Sequence, residues 1–169
     1  ALNPDLVVPA GQTINVFHRT YGSSTTAGIT TYLHAACPDK WSAEMVGKTV
    51  DWPVQDNFHA IEGSGGMSAG ISSTVYSIGY IDAGHGHDDG LSEIELQNLD
   101  GTYLDSTFAI ANGGVQEAAA QALAAGVLPS DPSADFSAVS LHNMPGTNTW
   151  PIVAISYMYL RKDQTGKGR

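Results

Sequence analysis

The strongest constraint on this 169-residue chain is a short segment that combines a strand, a hydroxyl-rich turn and a helix. Residues 13–18 carry a run of apolar side chains, which predicts a buried strand. The turn at 22–26 has the sequence Gly-Ser-Ser-Thr-Thr, and Ser23 or Ser24 suits the N-cap of a helix over 24–36. Further helices and strands alternate along the chain, which predicts a layered α/β fold.

The same turn suits a tetrahedral oxyanion. The first amides of a helix have no partner within the helix, and they point outward, where an anion can bind them. Arg19 ends the predicted strand, and its planar guanidinium can pair with two oxygens at once. Arg19 and the hydroxyls of Ser23, Ser24 and Thr25 form a candidate ligand-binding group, which we call the anion set. The alternative is an ordinary capped helix start beside a surface arginine.

Composition and charge limit the class of protein. An apolar fraction of 42% favours one folded domain with its own core, and the low charged fraction of 14% is typical of secreted and cell-surface proteins. A net charge of −10 argues against nucleic acid as a partner, so an anion would have to bind through local dipoles and Arg19. No stretch reaches the ~20 apolar residues of a membrane-spanning helix, which predicts no membrane insertion.

The chain has one cysteine, Cys37, near the end of the first predicted helix. A single cysteine excludes an internal disulfide, and we interpret Cys37 as a buried or half-buried packing residue. The sequence starts without an initiator Met or a signal peptide, which favours a chain processed or excised from a longer protein.

The rest of the chain is predicted as short elements separated by loops. The predicted helices are 39–48, 67–75 (after a glycine-rich loop at 63–66) and 115–125. The predicted strands or extended segments are 50–54, 77–81, 93–98 and 152–160. Residues 129–149 are predicted to be irregular.

Two histidines and two carboxylates fall within the predicted loop at 84–90. His85, His87 and Asp88 are candidate ligands for a first-row metal, and the alternative is a solvated loop with no native metal. The sequence lacks an H-E-x-x-H motif and a plausible Cys–His nucleophile context, and no pattern in it places a Ser-His-Asp triad. We therefore expect a protein that is not an enzyme and that needs no cofactor.

Seven short pieces stand in a fixed order along nearly the whole chain. They are Asn3-Pro4, Ile14-Asn15-Val16-Phe17-His18-Arg19, Gly22-Ser23-Ser24-Thr25-Thr26, Val50-Asp51-Trp52-Pro53-Val54, Gly70-Ile71, Ser77-Ile78-Gly79-Tyr80-Ile81 and Trp150-Pro151-Ile152. In this order they resemble the periplasmic phosphate-binding proteins that feed ABC-type phosphate importers. The resemblance implies that 1–169 is a single lobe of a type II periplasmic-binding-protein-like fold, a mixed sheet flanked by helices. It also implies a fragment, or the second lobe, of a longer two-lobed chain.

The resemblance assigns roles to the anion set, whose four residues occupy the phosphate-contacting positions of the family pattern Arg-Ser-Asp-Gly-Ser-Gly-Thr-Thr. Ser24 stands where the family often has Gly, and Tyr21 stands where an Asp usually orients the arginine. Gly66 and Ser68 stand where the second glycine-rich loop of the family commonly carries Lys and Asn. This chain therefore departs from the family pattern at three places around the expected site.

The function implied by the resemblance is a lobe of a solute-binding protein that binds inorganic phosphate or a similar oxyanion. The implied location is secreted, periplasmic or at the cell surface, and the implied partners are a second lobe, a membrane importer or other protein subunits. Two alternatives stay open: a repurposed lobe that serves as a structural or assembly module of a secreted or cell-surface protein, and a metal-binding histidine loop.

Overall fold

Strands and helices alternate along most of the chain. The computed structural model describes residues 3–5, 7–158, 160–161 and 163. The elements are β1 (Asn15–Arg19), α1 (Ser24–Ala36), a 3₁₀ turn (Ala43–Met45), β2 (Phe58–Ile61), α2 (Gly63–Ser73), β3 (Ser77–Ile78), α3 (Ala83–Asp88), β4 (Leu96–Gln97), β5 (Tyr103–Leu104), α4 (Ser106–Ala111) and α5 (Gly114–Ala124). Within this described part, every helix is too short or too polar to cross a bilayer.

The main sheet has three strands in the order β2-β1-β3, and both pairings are parallel. Arg19 at the end of β1 pairs with Ile61 at the end of β2. Strands β4 and β5 form a separate antiparallel pair. The predicted α/β class is confirmed, with helices on a small sheet that is parallel throughout. Because each parallel strand leads into a helix, α1, α2 and α3 all begin at the carboxyl edge of this sheet.

Small residues let the helices pack closely on the sheet. A Cβ atom on Gly70 of α2 would lie only 2.7 Å from the ring of Phe17 on β1. Met67, also on α2, is fully buried, and its sulfur lies against Gly79. A second apolar cluster joins Ala118 and Ala122 of α5 to residues 141 and 153 of the carboxyl-terminal segment. The contacts of Gly70 and Met67 fix the position of α2 relative to β1 and to the segment after β3.

Several predicted elements are confirmed. Helix α1 spans the predicted 24–36, α5 agrees with the predicted 115–125 to within one residue at each end, and 129–149 is irregular. The predicted strand at 77–81 shortens to two residues in the ladder, and the predicted helix at 39–48 shortens to one 3₁₀ turn.

The predictions for 84–90 and 63–66 were wrong, because both segments contain helix. Asp82 caps α3 by accepting a hydrogen bond from the backbone N–H of His85 at 3.2 Å. Gly86 is buried against the side chain of Ile81. Glycine lowers helix propensity, but at this position its small size allows the helix to pack closely. Residues 63–66 form the first turn of α2, after Glu62 at the N-cap position.

Two further predictions failed on tertiary grounds. Within the described part of 152–160 the chain is extended but pairs with no strand, because Val153 packs on α5 instead; Tyr159 lies outside the described residues. Cys37 is exposed rather than buried, since it is the C-cap residue where the chain leaves α1.

Candidate functional site

The carboxyl edge of the parallel sheet brings the anion set together. Ligands of open α/β sheets bind outside the carboxyl ends of the strands, where loops and helix starts converge. Arg19 is the last residue of β1, and the turn that follows leads directly to the start of α1 at Ser24. Because Arg19 pairs with Ile61, the start of α2 follows the neighbouring strand at the same edge.

Ser23 caps helix α1. Its backbone is extended, and its Oγ accepts a hydrogen bond from the Thr25 backbone N–H at 3.2 Å. The backbone N–H groups of Ser24 and Thr26 have no partner among the described residues. Two donors of the helix start therefore remain available to an anion, with the positive end of the helix dipole behind them.

The side chains of Ser23 and Thr25 also hydrogen-bond each other, with Oγ and Oγ1 2.7 Å apart. A hydroxyl has one proton to donate, and either residue can donate in this contact. Whichever does so, the other O–H stays unused within the pair. The paired hydroxyls therefore keep one donor for a ligand, while Ser24 is exposed beside them.

Arg19 is half-buried, and its guanidinium has no hydrogen bond or ion pair with any described residue. Tyr21, in the place of the family's orienting Asp, is 66% exposed. Within the described part of the chain, the Arg19 charge therefore has no carboxylate partner. An unpaired guanidinium is free to form a bidentate contact with an oxyanion.

A stack of aromatic rings lies behind the end of β1. The ring of His18 stacks on Trp52 at a centroid distance of 5.0 Å, and Trp52 stacks on Tyr80 at 6.1 Å. Burial, together with the nearby His59, lowers the pKa of His18, although a hydrogen bond to the Arg19 carbonyl opposes this shift. A neutral His18 adds no charge to the site at neutral pH, so Arg19 supplies the charge at this strand end.

Residues 47–49 form a wall beside the turn. The backbone N–H of Ser23 donates to the Lys48 carbonyl at 2.9 Å, and a Cβ on Gly22 would lie 3.2 Å from Thr49 Oγ1. The Lys48 ammonium has no carboxylate partner within residues 7–158. Sequence reasoning did not include Lys48, because its proximity depends on this backbone contact between separate loops.

An open cavity of about 290 Å³ shares Thr49 with this wall. It is lined by Glu44, Met45, Thr49, Val50 and Asp51. Two of these five side chains are carboxylates, which repel an anion. The lining of this cavity therefore does not suit an oxyanion.

The start of α2 contributes polar groups but no positive charge. Ser64 donates to Asp82 Oδ2 at 3.1 Å, and His85 Nδ1 lies 2.7 Å from Asp82 Oδ1. Burial would raise the pKa of Asp82, but the hydrogen bonds from His85 and Ser64 lower it overall. A Cβ on Gly66 would lie 2.7 Å from the Ile61 side chain, so a longer residue here would require Ile61 to move.

The three candidate metal ligands do not converge. His85 pairs with Asp82, whereas His87 Nε2 lies 3.3 Å from Glu93, and Asp88 is exposed. Two residues apart on a helix, the histidines point in different directions. No cluster of three or more residues that could hold a metal occurs within the described chain.

One cluster was missed by sequence reasoning. Ser106 Oγ lies 3.1 Å from His87 Nε2, and the Glu93 carboxylate lies on the same ring nitrogen. A catalytic triad needs the acid on the other nitrogen and an accessible hydroxyl. Ser106 is only 2% exposed, and the exposed Thr107 Oγ1 lies 3.2 Å from the same nitrogen, so the cluster ties α3 to α4 without the arrangement of a triad.

No protein-family model matches the chain. It is similar to three proteins that each carry the name phosphate-binding protein PstS. The Pasteurella multocida protein is 32% identical over 88% of this chain and 39% of its own length. The Haemophilus influenzae protein is 32% identical over 96% of this chain and 44% of its own length. The Methanocaldococcus jannaschii protein is 28% identical over 98% of this chain and 42% of its own length. The predicted resemblance to phosphate-binding proteins is confirmed, and the chain spans about two fifths of the length of these relatives.

Proposed function

We propose that the chain is a phosphate-binding lobe of a solute-binding protein, in which the anion set contacts the phosphate. The observation that carries this proposal is the Arg19 guanidinium, which has no partner among the described residues, at the strand end that leads into the hydroxyl-capped start of α1. The relatives are named for phosphate binding, not for catalysis, which supports a binding protein that is not an enzyme.

Each member of the site has a defined task. Arg19 supplies a bidentate, charge-assisted contact, and the Ser24 and Thr26 amides donate along the axis of α1. The Ser23–Thr25 pair adds one hydroxyl donor. These local donors must overcome the field of a chain whose net charge is −10. Binding by this site therefore weakens as salt screens the charge of Arg19.

The lobe is half of the complete site in this proposal, and residues 1–169 form one domain. A second lobe closes over the phosphate and excludes water, and a membrane importer receives the ligand outside the cytoplasm, in the periplasm or at the cell surface. A lone lobe leaves one side of the anion hydrated, so its affinity is low. No contact among the described residues favours the assembly-module or metal-binding alternatives.

Calorimetric titration with inorganic phosphate at low salt tests the proposal. The variants are Arg19→Ala and, as a control that removes the same charge, Lys40→Ala, because Lys40 is exposed beyond the carboxyl end of α1. Saturable heat in the native protein and in Lys40→Ala, but not in Arg19→Ala, is the expected result. Absence of heat up to millimolar phosphate in the native protein would contradict binding by this lobe alone.

A further inference from the structure

The hydroxyl of Tyr80 joins the two elements that carry the anion set. It accepts a hydrogen bond from the backbone N–H of Arg19 at 3.0 Å, and it lies 2.8 Å from Thr26 Oγ1. One contact is at the last residue of β1, and the other is in the first turn of α1. The strand end and the helix start are thus connected through one oxygen atom from a third segment of the chain.

Neither partner has a substitute for this contact. Thr26 is only 1% exposed, and its hydroxyl has no other hydrogen bond among the described residues. The Arg19 N–H likewise has no second acceptor in the described part of the chain. A buried polar group that loses its partner is costly, so the Tyr80 oxygen strongly favours one spacing between Arg19 and Thr26.

The ring of Tyr80 is itself held in place. It stacks on Trp52, with planes 23° apart, and Trp52 stacks in turn on His18, the residue before Arg19. A ring packed in this way limits the positions that its hydroxyl can occupy. The hydroxyl is therefore a fixed point against which the strand end and the helix start are both set.

We propose that Tyr80 is a positioning residue of the phosphate site. By tying the Arg19 backbone to the first turn of α1, it sets the distance between the guanidinium and the free Ser24 and Thr26 amides. Binding groups need placement within about 0.5 Å to act together. This inference rests on the proposed function, and it assigns Tyr80 an indirect role, since its hydroxyl is already occupied by protein groups.

Tyr80→Phe tests the inference, with Tyr32→Phe as the matched control. Tyr32 lies on α1, is buried, and donates its hydroxyl proton to the Gln97 carbonyl at 2.9 Å, away from the helix start. Calorimetry with inorganic phosphate, at a temperature where all variants are folded, should show a dissociation constant raised about tenfold in Tyr80→Phe and unchanged in Tyr32→Phe.

Two further measurements separate positioning from general stability. In an Arg19→Ala background, Tyr80→Phe should weaken any remaining phosphate binding by less than twofold, because its effect runs through Arg19. The Arg19 backbone amide, observed by ¹⁵N NMR, should exchange its proton faster in Tyr80→Phe than in Tyr32→Phe. If Tyr80→Phe does not fold, Thr26→Val removes one arm of the bridge and should still weaken phosphate binding severalfold.

The outcomes are distinct. If the native protein binds phosphate and Tyr80→Phe (or, if needed, Thr26→Val) binds it equally well, the positioning role is overturned while the proposed function stands. If the native protein itself shows no saturable heat with phosphate, binding by this lobe alone fails, and the positioning role fails with it.

Discussion

The hydroxyl pair of Ser23 and Thr25 predicts that substitutions of these two residues have non-additive effects on phosphate affinity. In the native structure one O–H is used between the two side chains and the other is free. Ser23→Ala frees the Thr25 hydroxyl, and Thr25→Val frees the Ser23 hydroxyl. Each single variant therefore keeps one hydroxyl donor of the pair, and the double variant keeps none of it, so that only the Ser24 hydroxyl remains in the turn.

The magnitudes follow from these contacts. A hydrogen bond to a charged group contributes about 1.5–3 kcal/mol, so loss of the pair's last donor should weaken phosphate binding by at least about tenfold. Each single variant should lose threefold or less, on the order of 0.6 kcal/mol. Ser23→Ala also removes the N-cap, which costs about 1 kcal/mol of stability and lowers the melting temperature by about 2–4 °C.

Calorimetry and thermal unfolding measured on the same samples test this prediction. The reasoning would be refuted if Ser23→Ala alone lost as much affinity as the double variant, because Ser23 would then be the only donor of the pair. Ser23→Gly is the control for capping, since glycine at an N-cap costs only a few tenths of a kcal/mol. It should match Ser23→Ala in phosphate affinity and the native protein in stability.

Two further predictions concern stability. Gly70→Ala places a Cβ 2.7 Å from the buried ring of Phe17, so it should lower the free energy of unfolding in urea by about 1–3 kcal/mol. Gly65→Ala is the control, because a Cβ there meets open space and should not lower stability. Equal urea midpoints for the two variants would contradict the packing argument. His142 Nε2 is buried with no partner among the described residues, and burial lowers the pKa of His142 from 6.5. Because the unfolded chain takes up the proton at a higher pH than the folded protein, the contribution of His142 to the free energy of unfolding should be complete above pH 6.5 and decrease below it. His142→Gln should reduce this decrease when unfolding is measured as a function of pH. An unchanged dependence of the unfolding free energy on pH would exclude His142 as its source.

The parts of the fold that were predicted correctly are fixed by neighbouring residues. Helix α1 follows from its hydroxyl cap, and α5 follows from an alanine-rich run between Gly113 and Gly126. The members of the anion set are close in sequence, so the strand–turn–helix pattern was enough to group them. Their contacts with phosphate remain a prediction.

The parts that were missed depend on distant contacts. Helix α3 contains two glycines, and it is stabilised by the Asp82 cap and by burial of Gly86 against Ile81. The Tyr80 hydroxyl reaches groups 54 and 61 residues away along the chain, a separation that no local spacing reveals. The alternating pattern at 152–160 predicted a strand, but alternation alone does not supply a neighbouring strand to pair with.

Within residues 7–158, the ion pairs involve only histidines, and no lysine or arginine there is paired with a carboxylate. Such a surface offers dissolved salt little attraction to screen, while its acids repel one another. We therefore expect concentrated salt to strengthen the scaffold and, in the same solution, to release an oxyanion from Arg19. Ionic strength thus acts on folding and on ligand retention in opposite directions. A wash at high salt should therefore remove the bound anion and leave the protein folded.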